Sequence, residues 1–352
     1  LATLLFLAAC GSKALPPVSF AAPEQKIDYL SEVRPVLVKR CVICHSCYNS
    51  PCQLKLSSFE GLDRGATKKA VYNAERLQTM EPTRLFMDAV TTEQWRTKDF
   101  HSVTENSAAS GQNNSIMMQL LAHKNDNPMQ DGDEFFPEAD DLTCAKSDEE
   151  LGAYLNKHPN RGMPFGFPPL TEDEFTTIAG WLAQGAQGPD KVQQAELEAI
   201  PTADQAKITQ WEAFFNNQNP KYGMTARYLY EPLFLAHIKF DTPGNVFYEL
   251  VRSRTPPGEK IDIIATDLPY DDPQATIFYY RFRKIHSTIV HKTHMVFEFS
   301  EQQYQRFHEL FIDSLWPLPP RRVGYEQKLS ANPFKAFEQI PTQARYQFLL
   351  DN

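Results

Sequence analysis

The pentapeptide Cys41-Val42-Ile43-Cys44-His45 constrains the fold of this chain more than any other run. Two thiols three positions apart lie on one side of a single turn, and the imidazole that follows projects from the same turn. This arrangement lets each sulfur add to a vinyl group of haem while the histidine ligates the iron. With 6 Cys and 9 His in 352 residues, chance alone gives roughly 0.003 such pentapeptides in the whole chain. The run is therefore read as an attachment site for one covalent haem c, with Cys41 and Cys44 as the attachment thiols and His45 as the proximal iron ligand.

Cys47 and Cys52 extend the run to Cys-x2-Cys-x2-Cys-x4-Cys, a spacing that also suits an iron–sulfur cluster or zinc. The imidazole directly after Cys44, and Pro51 before rather than after the last cysteine, favour haem. Cys47, Cys52 and Cys144 then leave an odd number. One disulfide is expected, either Cys47–Cys52 or one of these two with Cys144, with one thiol left over.

A second axial ligand is sought in Asn160-Arg161-Gly162-Met163-Pro164-Phe165-Gly166, where the Met163 thioether could close the distal face and raise the reduction potential. An ordinary buried methionine in a turn is the competing reading, and His158 and His123 are the fallback ligands. Just beyond, Thr171 and Glu174 form a Thr-x-x-Glu capping box, and Phe175, Ile178, Ala179 and Leu182 follow at helical spacing up to Gly185.

The apolar start, Leu1 to Cys10, reads as an export signal lacking its basic end, with Leu7-Ala8-Ala9-Cys10 resembling a lipobox. Residues 1–22 are therefore expected to be signal and tether, the location periplasmic, and Cys10 a possible lipid anchor. Export suits the cysteines, since disulfides persist in an oxidising compartment. Ile27 to Lys39 is patterned as an amphipathic helix leading into the cysteine pair. A net charge of −9 offers no basic stripe for phosphate contacts, so nucleic acid is not an expected partner.

Residues 23–190 thus read as a mainly α, cytochrome c-like haem domain, and 191–352 as an α+β domain. In the latter a helical linker, Lys191 to Ala206, precedes two aromatic, β-branched strands, Ile277 to Ile285 and His294 to Phe299. Ser300 with Gln303 caps a following helix carrying Tyr304, Phe307, Leu310 and Phe311 on one face. The patterned run Ala344 to Leu350 suggests that this domain continues beyond Asn352. His286, His291 and His294 lie in strand-like surroundings, where i, i+3 spacing does not converge on a metal, and are read as hydrogen-bonded or solvent-facing.

The run Cys41 to Leu56, with Cys47 and Cys52 following the haem motif, resembles the bacterial fatty acid cis/trans isomerases. The likeness continues through Asn160 to Gly188 and Tyr222-Gly223-Met224-Thr225-Ala226-Arg227-Tyr228. The resemblance implies a cis-trans isomerase, EC 5.2.1 in type, that converts cis-unsaturated fatty acids or phospholipid acyl chains to trans without shifting the double bond. It further implies a ferric haem that draws density from the π-bond, and transient contact with the membrane surface. Members run beyond this length, which implies that the second domain is incomplete at its C-terminus. A periplasmic c-type cytochrome for electron transfer is the alternative, which leaves residues 191–352 without a task.

Overall fold

Pro35 splits the first expected helix. A prolyl nitrogen cannot donate to the preceding turn, and the chain answers with one π-helical turn, Tyr29–Val33, in which the amide of Val33 reaches back to Asp28 at 3.3 Å. Helix α1, Arg34–Arg40, starts from that point with the proline in its first turn. Tyr29, Val33 and Leu37 still share one buried face. The structure, a computed structural model, describes residues 14–48, 50–69, 71, 81–129, 144–290 and 295–351. The leader with Cys10 lies outside them.

Two compact units divide the chain, one of the described residues up to Gln193 together with Thr288–Val290, the other of the remainder. The first is mainly helical: α1, α2 (Phe59–Arg64), α3 (Thr92–Thr97), α4 (Ile116–Asp126), α5 (Asp148–Lys157) and α6 (Glu172–Ala183). Its strands are the two-residue pair β1 (Val18–Ser19) and β2 (Gln112–Asn113). Helix α6 begins on the expected capping box: the Glu174 amide donates to the Thr171 hydroxyl at 3.3 Å, and the Thr171 amide donates to the Glu174 carboxylate at 3.1 Å. Its buried face, Ile178, Trp181 and Leu182, packs with Tyr29, Val33, Leu37, Met118 and Leu121 into one core.

Helix α7 (Lys191–Glu198) spans the boundary in sequence, and the long helices α8 (Thr202–Phe215) and α9 (Pro220–Leu233) follow in the second unit. Strands β3 (His237–Phe240), β4 (Phe247–Ser253), β5 (Tyr279–Ile285) and β6 (Val296–Phe299) follow. Helix α10 (Glu301–Phe307), a π-helical turn (His308–Ile312), α11 (Gln327–Ser330), α12 (Pro333–Ala336) and α13 (Thr342–Asp351) complete it. The sheet order is β5-β4-β3-β6, antiparallel except for the parallel β3–β6 pair. The unit is thus α+β. Two of its four strands, β5 and β6, are those expected from the sequence.

Aromatic rings hold this unit together. Trp211 of α8 stacks on Phe299 of β6 with centroids 4.3 Å apart, and Phe307 and Phe311 of the expected amphipathic face are fully buried. Buried polar groups fix the helix to the sheet: Glu212 accepts from Arg281 at 2.9 Å and from the Phe282 amide at 3.2 Å. Among the described residues no helix is long and apolar enough to cross a membrane.

Candidate functional site

Helix α1 ends where the cysteine motif begins. The Cys41 amide bonds back to Leu37 at 2.9 Å, and the amides of Cys44 and His45 both reach the Cys41 carbonyl, at 3.1 and 3.0 Å, so residues 41–45 wind as one tight turn. The Cys41 and Cys44 thiols are both free of disulfides, with Cys44 exposed. Burial pushes the Cys41 thiol up to about 12, so it stands as a neutral thiol near neutral pH rather than as a reactive thiolate.

His45 is oriented by the segment that follows it. Its Nδ1 lies 3.0 Å from the carbonyl oxygen of Leu54, and the Leu56 amide donates to the His45 carbonyl at 2.8 Å. A carbonyl only accepts, so the proton sits on Nδ1 and the neutral ring presents the Nε2 lone pair. Burial, partly offset by the bond to Leu54, holds the His45 pKa below the usual imidazole value. This tautomer and protonation state are those that a metal-binding imidazole needs.

The supporting loop is held from below. Arg64 of α2, 1% exposed, donates to the carbonyls of Gln53 and Thr83, the latter at 2.8 Å, and its guanidinium lies 4.8 Å from the Phe100 ring centroid. Gln53 in turn donates to the Lys69 carbonyl at 2.9 Å. Sequence reasoning missed this support, because its acceptors are backbone carbonyls that carry no side-chain signature.

Cys52 is bonded to Cys144, one of the pairings left open by the sequence, and Cys47 is outside any disulfide. This removes Cys52 from the four-thiol run that suggested an iron–sulfur cluster or zinc. Among the described residues, no three His, Cys, Asp or Glu side chains come together as a metal set. Three disulfide-free thiols, Cys41, Cys44 and Cys47, and one oriented imidazole remain. They do not converge as a metal set among the described residues, whereas Cys41, Cys44 and His45 in one turn fit a covalently held haem.

Met163 packs against the same core as Cys41. Its amide donates to the Leu120 carbonyl of α4 at 3.1 Å, and the preceding Gly162 lies so close to α4 that an added Cβ would sit 2.6 Å from the Lys124 nitrogen. The glycine is what lets the methionine segment dock, and its place beside the candidate Met163 was the available signal. The fallback ligand His123 places Nε2 2.7 Å from the Pro159 carbonyl, which occupies that nitrogen, while His158 caps α5 with its ring 5.2 Å from Tyr154. His286 follows β5, and His291 and His294 lie outside the described residues.

A family model described as fatty acid cis/trans isomerase matches residues 80–352, a span that contains Met163, Cys144 and the whole second unit but not Cys41, Cys44 or His45. No curated protein and no solved structure matches the chain.

Proposed function

The chain belongs to the fatty acid cis/trans isomerases, and from that premise we propose that it isomerises unsaturated acyl chains by means of one covalent haem c, held through Cys41 and Cys44 with His45 on the iron. The observation that carries this reading is the bond from His45 Nδ1 to Leu54, which leaves Nε2 as a lone-pair donor beside two disulfide-free thiols. When bound, a haem supplies a one-electron couple that can weaken a C=C π-bond and restore it, so rotation proceeds with no redox cofactor consumed.

The chain's own residues orient and tune. Leu54 fixes the His45 ring and keeps its proton on Nδ1, and Arg64 fixes the loop that carries Leu54. Met163, anchored on α4 through its amide and Gly162, is the proposed distal ligand and gives the first unit a cytochrome c-like character. The substrates are cis-unsaturated fatty acids or the acyl chains of membrane phospholipids, met at the membrane surface in passing. Thioether attachment and the Cys52–Cys144 disulfide both belong to an oxidising compartment, which supports a periplasmic location. Lipid anchoring at Cys10 is compatible with it.

Purified full-length protein should keep its haem through acidified-acetone extraction and give a c-type pyridine haemochrome spectrum. Complete extraction of the haem would rule out thioether attachment.

A further inference from the structure

The second unit contains a cleft of about 670 Å3, within the roughly 300–1,000 Å3 usual for small-ligand sites. The first half of α9, the segment 275–280 entering β5, and the segment 321–325 form its walls. These walls are fixed by the protein itself. Asn216 exchanges two hydrogen bonds with the Tyr280 backbone at 2.9 and 2.8 Å, and Arg227 donates to the carbonyls of Val323 and Gly324 at 3.1 and 3.0 Å while its guanidinium lies 4.1 Å from the Tyr325 ring centroid.

Two features say what the cleft takes. Its apolar lining includes Phe215, Met224, Phe278 and Phe337, while its charged lining is Arg227, Arg321 and Arg322 with no Asp or Glu. In a chain of net charge −9 that is a local reversal of sign. Arg227 is already paired with Glu231, whereas Arg321 and Arg322 are exposed, and neither forms an ion pair among the described residues. The second feature is Gly223, one turn into α9 and on the cleft wall, where an added Cβ would meet nothing within 4 Å. A helical glycine costs about 1 kcal/mol relative to alanine, and no packing among the described residues requires one here. Gly223 is exposed on the cleft wall, and the space beside it is open.

We infer that this cleft binds one long hydrocarbon chain ending in an anion, a carboxylate or a phosphate, with the chain along Gly223 and Met224 and the anionic end at Arg321 and Arg322. That the chain is an unsaturated acyl chain rests on the isomerase reading. The preference for an apolar chain with an anionic end does not.

The test uses the full-length, haem-loaded protein, titrated by calorimetry with cis-9-octadecenoate below its micelle concentration and, separately, with dioleoylphosphatidylglycerol vesicles. Gly223→Leu should weaken binding by more than about tenfold through steric filling, with haem absorbance unchanged and the thermal midpoint not lowered. The pair Arg321→Gln, Arg322→Gln should weaken binding of the anion about tenfold and leave binding of the uncharged alcohol, cis-9-octadecenol, unaltered. Variant-sensitive binding of the free acid alone assigns the carboxylate, and of the vesicles alone the phosphate. Wild-type affinity in both variants for both ligands overturns the site, even if trans product still forms. Variant-sensitive binding without trans product upholds the cleft and removes the isomerase reading instead.

Discussion

His45 Nδ1 and the Leu54 carbonyl oxygen stand 3.0 Å apart, so a backbone group nine residues downstream decides which nitrogen of the histidine is left to bind a metal. Replacing His45 with Ala should bring haem content to background. It should destabilise the haem-free chain by only about 1 kcal/mol, the net contribution of one hydrogen bond. Haem absorbance and urea unfolding of the same preparation check both halves, and full haem content in the variant would contradict the assignment.

The Cys52–Cys144 bond spans 92 residues of sequence. By the chain-entropy argument a cross-link over so long a loop is worth about 4–5 kcal/mol, so Cys144→Ser should lower the thermal midpoint markedly. Alkylation of the oxidised protein followed by mass spectrometry should label Cys47 and spare Cys52 and Cys144. A Cys47–Cys52 cross-linked peptide would overturn the pairing.

Gly162→Ala would push a methyl group into backbone atoms of Lys124, 2.6 Å from its nitrogen and 2.8 Å from its Cα. Overpacking of this kind costs about 1–3 kcal/mol, and the strain falls on the segment that positions Met163. The far-red absorption band of thioether ligation should weaken in the oxidised protein while haem content stays at one per chain. An unchanged band would show that Gly162 does not set the position of Met163, and absence of the band from the wild type would separate Met163 from the iron.

His101 gives a pH dependence. Its Nε2 lies 2.8 Å from the Ala145 carbonyl, next to the disulfide, while its Nδ1 is buried without a hydrogen-bond partner. Burial, the largest influence, holds its pKa below the usual imidazole value. As pH falls below about 6.5 the unfolded chain takes up this proton before the folded one. The stability present at higher pH is therefore lost as pH drops through the lower folded value. His101→Gln keeps a donor for Ala145 and removes the titration, so the loss of stability between pH 7.5 and 5.5, read by urea midpoints, should be smaller than in the wild type. Equal losses would exclude His101 as a contributor.

How far these features were legible depends on what kind of signal each one carries. The turn at Cys41–His45, the capping box at Thr171 and the Ser300 cap are local, and residue identity and spacing announce them. Helix α1 was expected from Ile27, but periodicity does not register the missing amide of Pro35, which turns its first half into a π-helical turn. Strands β3 and β4 were not anticipated: β4 is buried at four successive positions, 250–253, so it lacks the alternation that marks a half-exposed strand. The Leu54 carbonyl, the Arg64 support and the contact of Gly162 with α4 join positions far apart in sequence through backbone atoms. The cleft beside Gly223 was hidden for a related reason, since its walls come from segments far apart in sequence.

The central claim is that acyl-chain isomerisation depends on haem held by Cys41, Cys44 and His45. Its most direct measurement is gas chromatography of the fatty acids after incubating cis-9-octadecenoate, or vesicles containing it in esterified form, with the haem-loaded protein and with a Cys41→Ser, Cys44→Ser variant. The account predicts trans-9 product, with the double bond unmoved, from the haem-loaded protein alone. Trans product at the wild-type rate from the haem-free variant would contradict it.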